Sequence, residues 1–157
     1  MLKYADTLVT FSEVPDEIAL CINISNCPCH CKNCHSSYLA QDIGTELTFN
    51  EVRKLIKKNS GISCIALMGG DAEPDKINTL ASFIINHYNS IKVAWYSGRQ
   101  ELNNNIDLYN FDYIKLGPYK EEFGPLNSRT TNQGFYKVSD GELINITSKF
   151  WKHETEN

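Results

Sequence analysis

Ile18, Leu20, Ile22 and Ile24 alternate with smaller or polar residues, which is the two-residue period of a strand over 18–24. The period changes at Thr48-Phe49-Asn50-Glu51, whose Thr and Glu have the spacing of a helix-opening capping box. Phe49, Val52, Leu55 and Ile56 then share one helical face through Lys58, and Asn59-Ser60-Gly61 ends it. A second apolar run, Ile62 to Met68, reads as a strand closed by Gly69-Gly70. Pro74 or Asp75 opens a second helix with Ile77, Leu80, Ala81, Ile84 and Tyr88 as its stripe. Ile91 to Tyr96 is a third strand ending at Ser97-Gly98, followed by a short helix near Glu101. Asp112 to Leu116 is a fourth strand ending at Gly117-Pro118. Residues 135–138 and 143–146 flank Asp140-Gly141, a hairpin signal. The polar tail of about 147–157 is expected to fray.

Strands alternating with helices predict an α/β fold with a mostly parallel sheet. At 157 residues the chain suits a single domain, with a core over about 11–138. Ligands of such sheets sit beyond the carboxyl ends of the strands. The loop after the first strand, Gly69-Gly70-Asp71, Ser97-Gly98 and Lys115-Leu116-Gly117 should therefore meet at one rim. Each has a plain reading beside the functional one. The glycines suit a simple turn, Ser97 suits the cap of a following helix, and Lys115 suits an edge lysine whose stem lies along apolar surface. Read functionally, the Gly69 and Gly70 carbonyls and the Asp71 carboxylate can accept hydrogen bonds from a ligand ammonium.

The loop after the first strand carries the chemistry. Cys27-Pro28-Cys29-His30-Cys31-Lys32-Asn33-Cys34 holds four of the six cysteines. Thiols crowded into one loop point to metal binding or catalysis rather than a disulfide framework. Cys21 and Cys64, in apolar runs, read as small buried hydrophobes. Cys27, Cys31 and Cys34 have the spacing C-x3-C-x2-C, enough for three irons of a cubane cluster whose fourth iron stays open. A zinc site is the alternative, since Cys29, His30 and His35 add further ligands. Under the iron–sulfur reading Cys29 is an extra thiol, and its loss should leave cofactor cleavage largely intact. The net charge of −4 gives no footprint for nucleic acid. No apolar run approaches the roughly 20 residues of a membrane span. The first residues lack the basic-then-apolar layout of a signal peptide, so the cytoplasm is expected.

Together these residues resemble the radical S-adenosylmethionine superfamily. Cys27-x3-Cys31-x2-Cys34 matches its cluster motif, and Gly69-Gly70-Asp71 looks like a variant of its Gly-Gly-Glu motif. The resemblance implies a truncated β/α barrel, a [4Fe-4S] cluster and S-adenosyl-L-methionine, which is cleaved reductively to a hydrogen-abstracting radical. It also makes Asn33, Gly69, Gly70, Asp71, Ser97 and Lys115 candidate cofactor contacts. Within the superfamily the chain looks like the activating proteins of anaerobic (class III) ribonucleotide reductase. Asp112 to Glu122 resembles their strand, Gly-Pro turn and paired acids, and Thr131-Asn132-Gln133 resembles a late motif. The substrate implied is a glycine of the reductase large subunit, with flavodoxin or ferredoxin as electron donor. Three positions depart from the pattern: Asn33 where an aromatic is common, Asp71 for Glu, and Gly134 where Arg usually follows. Another radical enzyme of the superfamily, such as a formate-lyase-type activator or a small-molecule enzyme, is the second reading. A non-catalytic zinc or iron–sulfur module is the third.

Overall fold

The computed structural model describes residues 1–32, 34 and 36–151. The expectations placed on Asn33, on His35 and on 152–157 lie outside the described residues. The elements run β1 (Lys3–Thr10), β2 (Ala19–Ile24), β3 (Thr45–Glu46), α1 (Phe49–Lys58), β4 (Cys64–Met68), α2 (Pro74–His87), β5 (Lys92–Tyr96), β6 (Tyr113–Leu116), β7 (Gly134–Ser139) and β8 (Glu142–Asn145).

Local chemistry accounts for most of these bounds. Thr48 Oγ1 accepts the Glu51 amide at 3.1 Å and so caps α1. The return half of the capping box does not form, because the Glu51 carboxylate takes the Tyr4 hydroxyl of β1 instead. Pro74 occupies the first turn of α2, where a missing N–H is harmless. Ile77, Leu80, Ala81 and Ile84 are buried, as their stripe predicts. Asp140 and Gly141 both take positive φ, as a tight hairpin turn between β7 and β8 requires.

One eight-stranded sheet has the order β3-β1-β2-β4-β5-β6-β7-β8. Its centre is the expected parallel unit, β2-β4-β5-β6. Its flanks correct the expectation of a mostly parallel sheet. Three pairings are parallel and four antiparallel, because β1 folds back on β2, β3 folds back on β1 and the β7–β8 hairpin folds back on β6. Among the described residues β3 and β8 are free edges, so the sheet is open. No helix forms near Glu101. The run Asn103-Asn104-Asn105 favours local side-chain turns, with Asn103 Oδ1 accepting the Asn105 amide at 2.8 Å, and only a 3-10 turn follows at Leu108–Asn110. A further 3-10 turn, Thr147–Phe150, begins the stretch expected to fray. It is tied to β7, since Thr147 is buried and its hydroxyl accepts the Phe135 amide at 2.9 Å. No helix among the described residues is long and apolar enough to cross a membrane.

The two faces of the sheet differ in side-chain size. Leu20, Ile22, Ile65, Leu67, Val93, Trp95 and Ile114 belong to a core that includes the buried faces of α1 and α2. The opposite face carries Ala19, Cys21, Cys64, Ala66 and Ala94, covered by Val14, Phe135 and partly by Leu126 and Phe150. Cys21 and Cys64 are buried free thiols, as their apolar surroundings predict. The register stacks this second face in rows. Cys21, Ala66, Ala94 and Tyr113 lie abreast, and Asn23, Met68, Tyr96 and Lys115 form the next row toward the carboxyl ends.

Candidate functional site

Beyond that last row the four parallel strands open into loops, and a cavity of about 500 Å³ lies among them. Cys27, Cys29, Cys31 and Cys34 line it together with Gly69, Asp71, Gly98 and Lys115. The four strand ends singled out by their turns thus do converge on one rim. The cysteine loop is held at its start by main-chain bonds: the Asn26 and Cys27 amides donate to Gln41 O at 2.9 Å and Leu39 O at 2.8 Å. Asn26 and His30 bend the loop through positive φ. All four thiols are free and half-buried. Among the described residues no three His, Cys, Asp or Glu side chains are gathered closely enough to hold a single metal ion.

The end of β4 is built for close approach. Gly69 takes φ +111°, and a Cβ there would stand 3.1 Å from Ile24 O at the end of β2. Gly70 takes φ +90°, and a Cβ there would lie 2.4 Å from Ile77 Cδ1 of α2. Backbone and helix contacts thus account for both glycines. Each acceptor that the sequence offers a ligand ammonium carries a protein donor. Gly69 O accepts the Trp95 indole N–H at 2.7 Å, and Gly70 O accepts the Glu73 amide at 3.0 Å. Asp71 Oδ1 accepts the Ser97 hydroxyl, and Asp71 Oδ2 accepts the Gly98 amide at 2.8 Å.

Ser97 is buried and caps no helix. Its oxygen also accepts the Arg99 amide at 3.0 Å, which folds the β5 end around Asp71. Lys115 is no edge lysine. It is 8% exposed, and its Nζ donates to Gly117 O at 2.9 Å and Gln133 Oε1 at 3.0 Å. Burial pulls its ammonium down to about 8, against the opposing influence of Asp71, Cys31, Cys29 and Cys34. Those four groups are therefore the acidic side chains that favour the charged form of the buried ammonium. Burial also pushes the Cys29 thiol up to about 12, with Asp71 and Cys27 adding to the rise and Arg99 opposing it.

Other wall residues, among them Tyr96, Tyr119 and Leu126, had no single-residue signal in the sequence. Gln133 did, through the Thr131-Asn132-Gln133 motif. That motif folds onto the Gly117-Pro118 turn, with Asn132 Nδ2 donating to Pro118 O at 3.0 Å beside the Gln133–Lys115 bond. His87 is exposed on α2 and has no part in the rim. Comparison of the chain with protein-family models, with curated proteins and with solved structures finds no match.

Proposed function

We propose that the chain is a radical S-adenosylmethionine enzyme that activates a glycyl-radical partner, the large subunit of an anaerobic ribonucleotide reductase. One observation carries the reading: Cys27, Cys31 and Cys34, at C-x3-C-x2-C spacing, line a single cavity at the carboxyl rim of four parallel strands. The donor set suits a [4Fe-4S] cluster. Each thiolate of a cubane binds a different iron, so its ligands surround the cluster instead of converging on one ion. The thiols are free, and buried Lys115 sets a positive charge among them. The parallel centre with both helices on one face suits a truncated β/α barrel whose inner wall is the small-residue face.

In this reading Cys27, Cys31 and Cys34 hold the cluster. When bound, it supplies the electron that breaks a carbon–sulfur bond of S-adenosyl-L-methionine. Lys115 offsets negative charge at the rim, and Gln133 and Gly117 O fix its ammonium. The loops that cover the small-residue face limit water at the cavity. A flavodoxin or ferredoxin would supply reducing equivalents, and a reducing cytoplasm suits the four free thiols.

The test is anaerobic reconstitution with iron and sulfide, reduction, and EPR with and without S-adenosylmethionine. A [4Fe-4S]⁺ signal that changes with the cofactor, and is lost in Cys27→Ala, Cys31→Ala or Cys34→Ala, supports the reading. Zinc without iron, or a cluster indifferent to the cofactor, sinks it in favour of the non-catalytic module. A glycyl-radical signal on the reductase subunit separates this activator from other enzymes of the superfamily.

A further inference from the structure

We infer that Asp71 and Cys29 form a tether that positions the cysteine loop, so that neither is a ligand-binding group. Cys29 Sγ stands 3.7 Å from Asp71 Oδ2, and its S–H donates there. The same oxygen accepts the Gly98 amide at 2.8 Å, and the other accepts the Ser97 hydroxyl. One carboxylate thus joins three pieces of chain: the β4 end that carries it, the β5 end through Ser97 and Gly98, and the cysteine loop through Cys29. The fit over β5 is close. A Cβ added at Gly98 would stand 2.8 Å from Cys29 Sγ and 3.2 Å from Cys29 Cβ, so a larger residue there would have to push the thiol from its place.

This arrangement changes what both residues are for. A carboxylate that already holds two N–H or O–H donors and a thiol has little left to offer a ligand ammonium. A fourth thiol that donates to a carboxylate is held in place, although it lines the same cavity and lies within hydrogen-bond reach of Cys27. The middle of the loop is thereby fixed to the β4 and β5 ends, and Cys27, Cys31 and Cys34 line the cavity on either side of that fixed point. The expectation that Cys29 is dispensable changes accordingly: what it contributes is a donor, which a hydroxyl can replace and a methyl cannot. The benefit to metal uptake rests on the function proposed above; the tether itself does not.

The test starts with metal-free, reduced protein and a short iodoacetamide pulse, with each cysteine followed by peptide mapping. Asp71→Ala should speed alkylation of Cys29 about tenfold, the factor carried by one hydrogen bond to a charged group. Buried Cys21 and Cys64 should stay unlabelled and so report that the fold persists. An unchanged Cys29 rate with a protected core overturns the tether. If Asp71→Ala exposes the core thiols too, Cys29→Ser and Cys29→Ala decide, each reconstituted with iron and sulfide. The tether predicts that Cys29→Ser retains the iron that Cys29→Ala loses, and equal iron in the two overturns it. Loss of the cofactor-dependent EPR change in wild-type protein would strike the proposed function and leave the alkylation result standing.

Discussion

At the opposite end of the parallel strands Glu17 is buried, 7% exposed, and its carboxylate accepts the Tyr113 hydroxyl at 2.8 Å, the Ser63 hydroxyl at 2.9 Å and Lys92 Nζ at 3.0 Å. Burial alone would raise its carboxyl. The three donors outweigh burial and hold it below the ordinary value of 4.5. Glu17→Gln keeps the shape and leaves one acceptor for those donors. Tyr113 is buried, so its lost bond to a charged group costs about 1.5–3 kcal/mol. The Lys92 side chain is 52% exposed, so its ion pair adds only about 0–1 kcal/mol. The sum, about 1.5–4 kcal/mol, lowers the thermal midpoint by roughly 3–16 °C for a chain of this size. The pH dependence follows from the direction of the shift. A depressed carboxyl stabilises fully above its unfolded value near 4.5, and that stabilisation is lost as pH falls through the folded value. Melting the metal-free wild type and variant by circular dichroism at pH 7, pH 5 and below pH 4.5 should show a gap that is steady between the first two and then narrows. A gap below about 1 kcal/mol at pH 7, or one that widens on acidification, would refute the reasoning.

Two further outcomes are expected. Gly44 has φ +98° and a Cβ there would stand 2.0 Å from Tyr4 O, so Gly44→Ala must move the loop that leads into β3 away from β1; backbone strain of about 1–3 kcal/mol should lower the midpoint by several degrees, measured by the same melts, while Cys29 alkylation stays slow. Lys115 has its folded ammonium at about 8, below the ordinary 10.5, so its own contribution to the stability of the metal-free protein shows a gain as pH rises from 8 toward 10.5, against the loss that the raised Cys21, Cys29 and Cys64 thiols bring over the same range. Lys115→Met should lack that gain in urea titrations across the same range.

The parallel centre was legible because β2, β4, β5 and β6 keep apolar runs ended by glycine or polar turns. β1 was not. Leu8 is 61% exposed and Val9 41%, so the strand shows no buried alternating face, and only its backbone pairing defines it. The missing helix at Glu101 shows local asparagine chemistry prevailing over a weak periodic pattern. At the rim, spacing alone brought the cysteines and Gly69-Gly70-Asp71 to one place. What spacing could not show is that Asp71 is already engaged. That depends on Ser97, Gly98 and Cys29 arriving from 26, 27 and 42 residues away in sequence. Lys115 had the same difficulty: one of the acceptors that hold its buried ammonium is Gln133, 18 residues later.

The polar knot at Glu17 and the cysteine rim sit at opposite ends of strands such as β4, whose five residues span about 13 Å from Cys64 to Met68. Substitutions separated by more than about 7–10 Å, with no shared partners, combine nearly independently. Changes at positions 29, 71 or 97 therefore draw on a different reserve of stability from the one that Glu17, Ser63, Lys92 and Tyr113 supply. The rim can therefore be altered, a thiol exchanged or an acid lengthened, without re-solving how the sheet holds together.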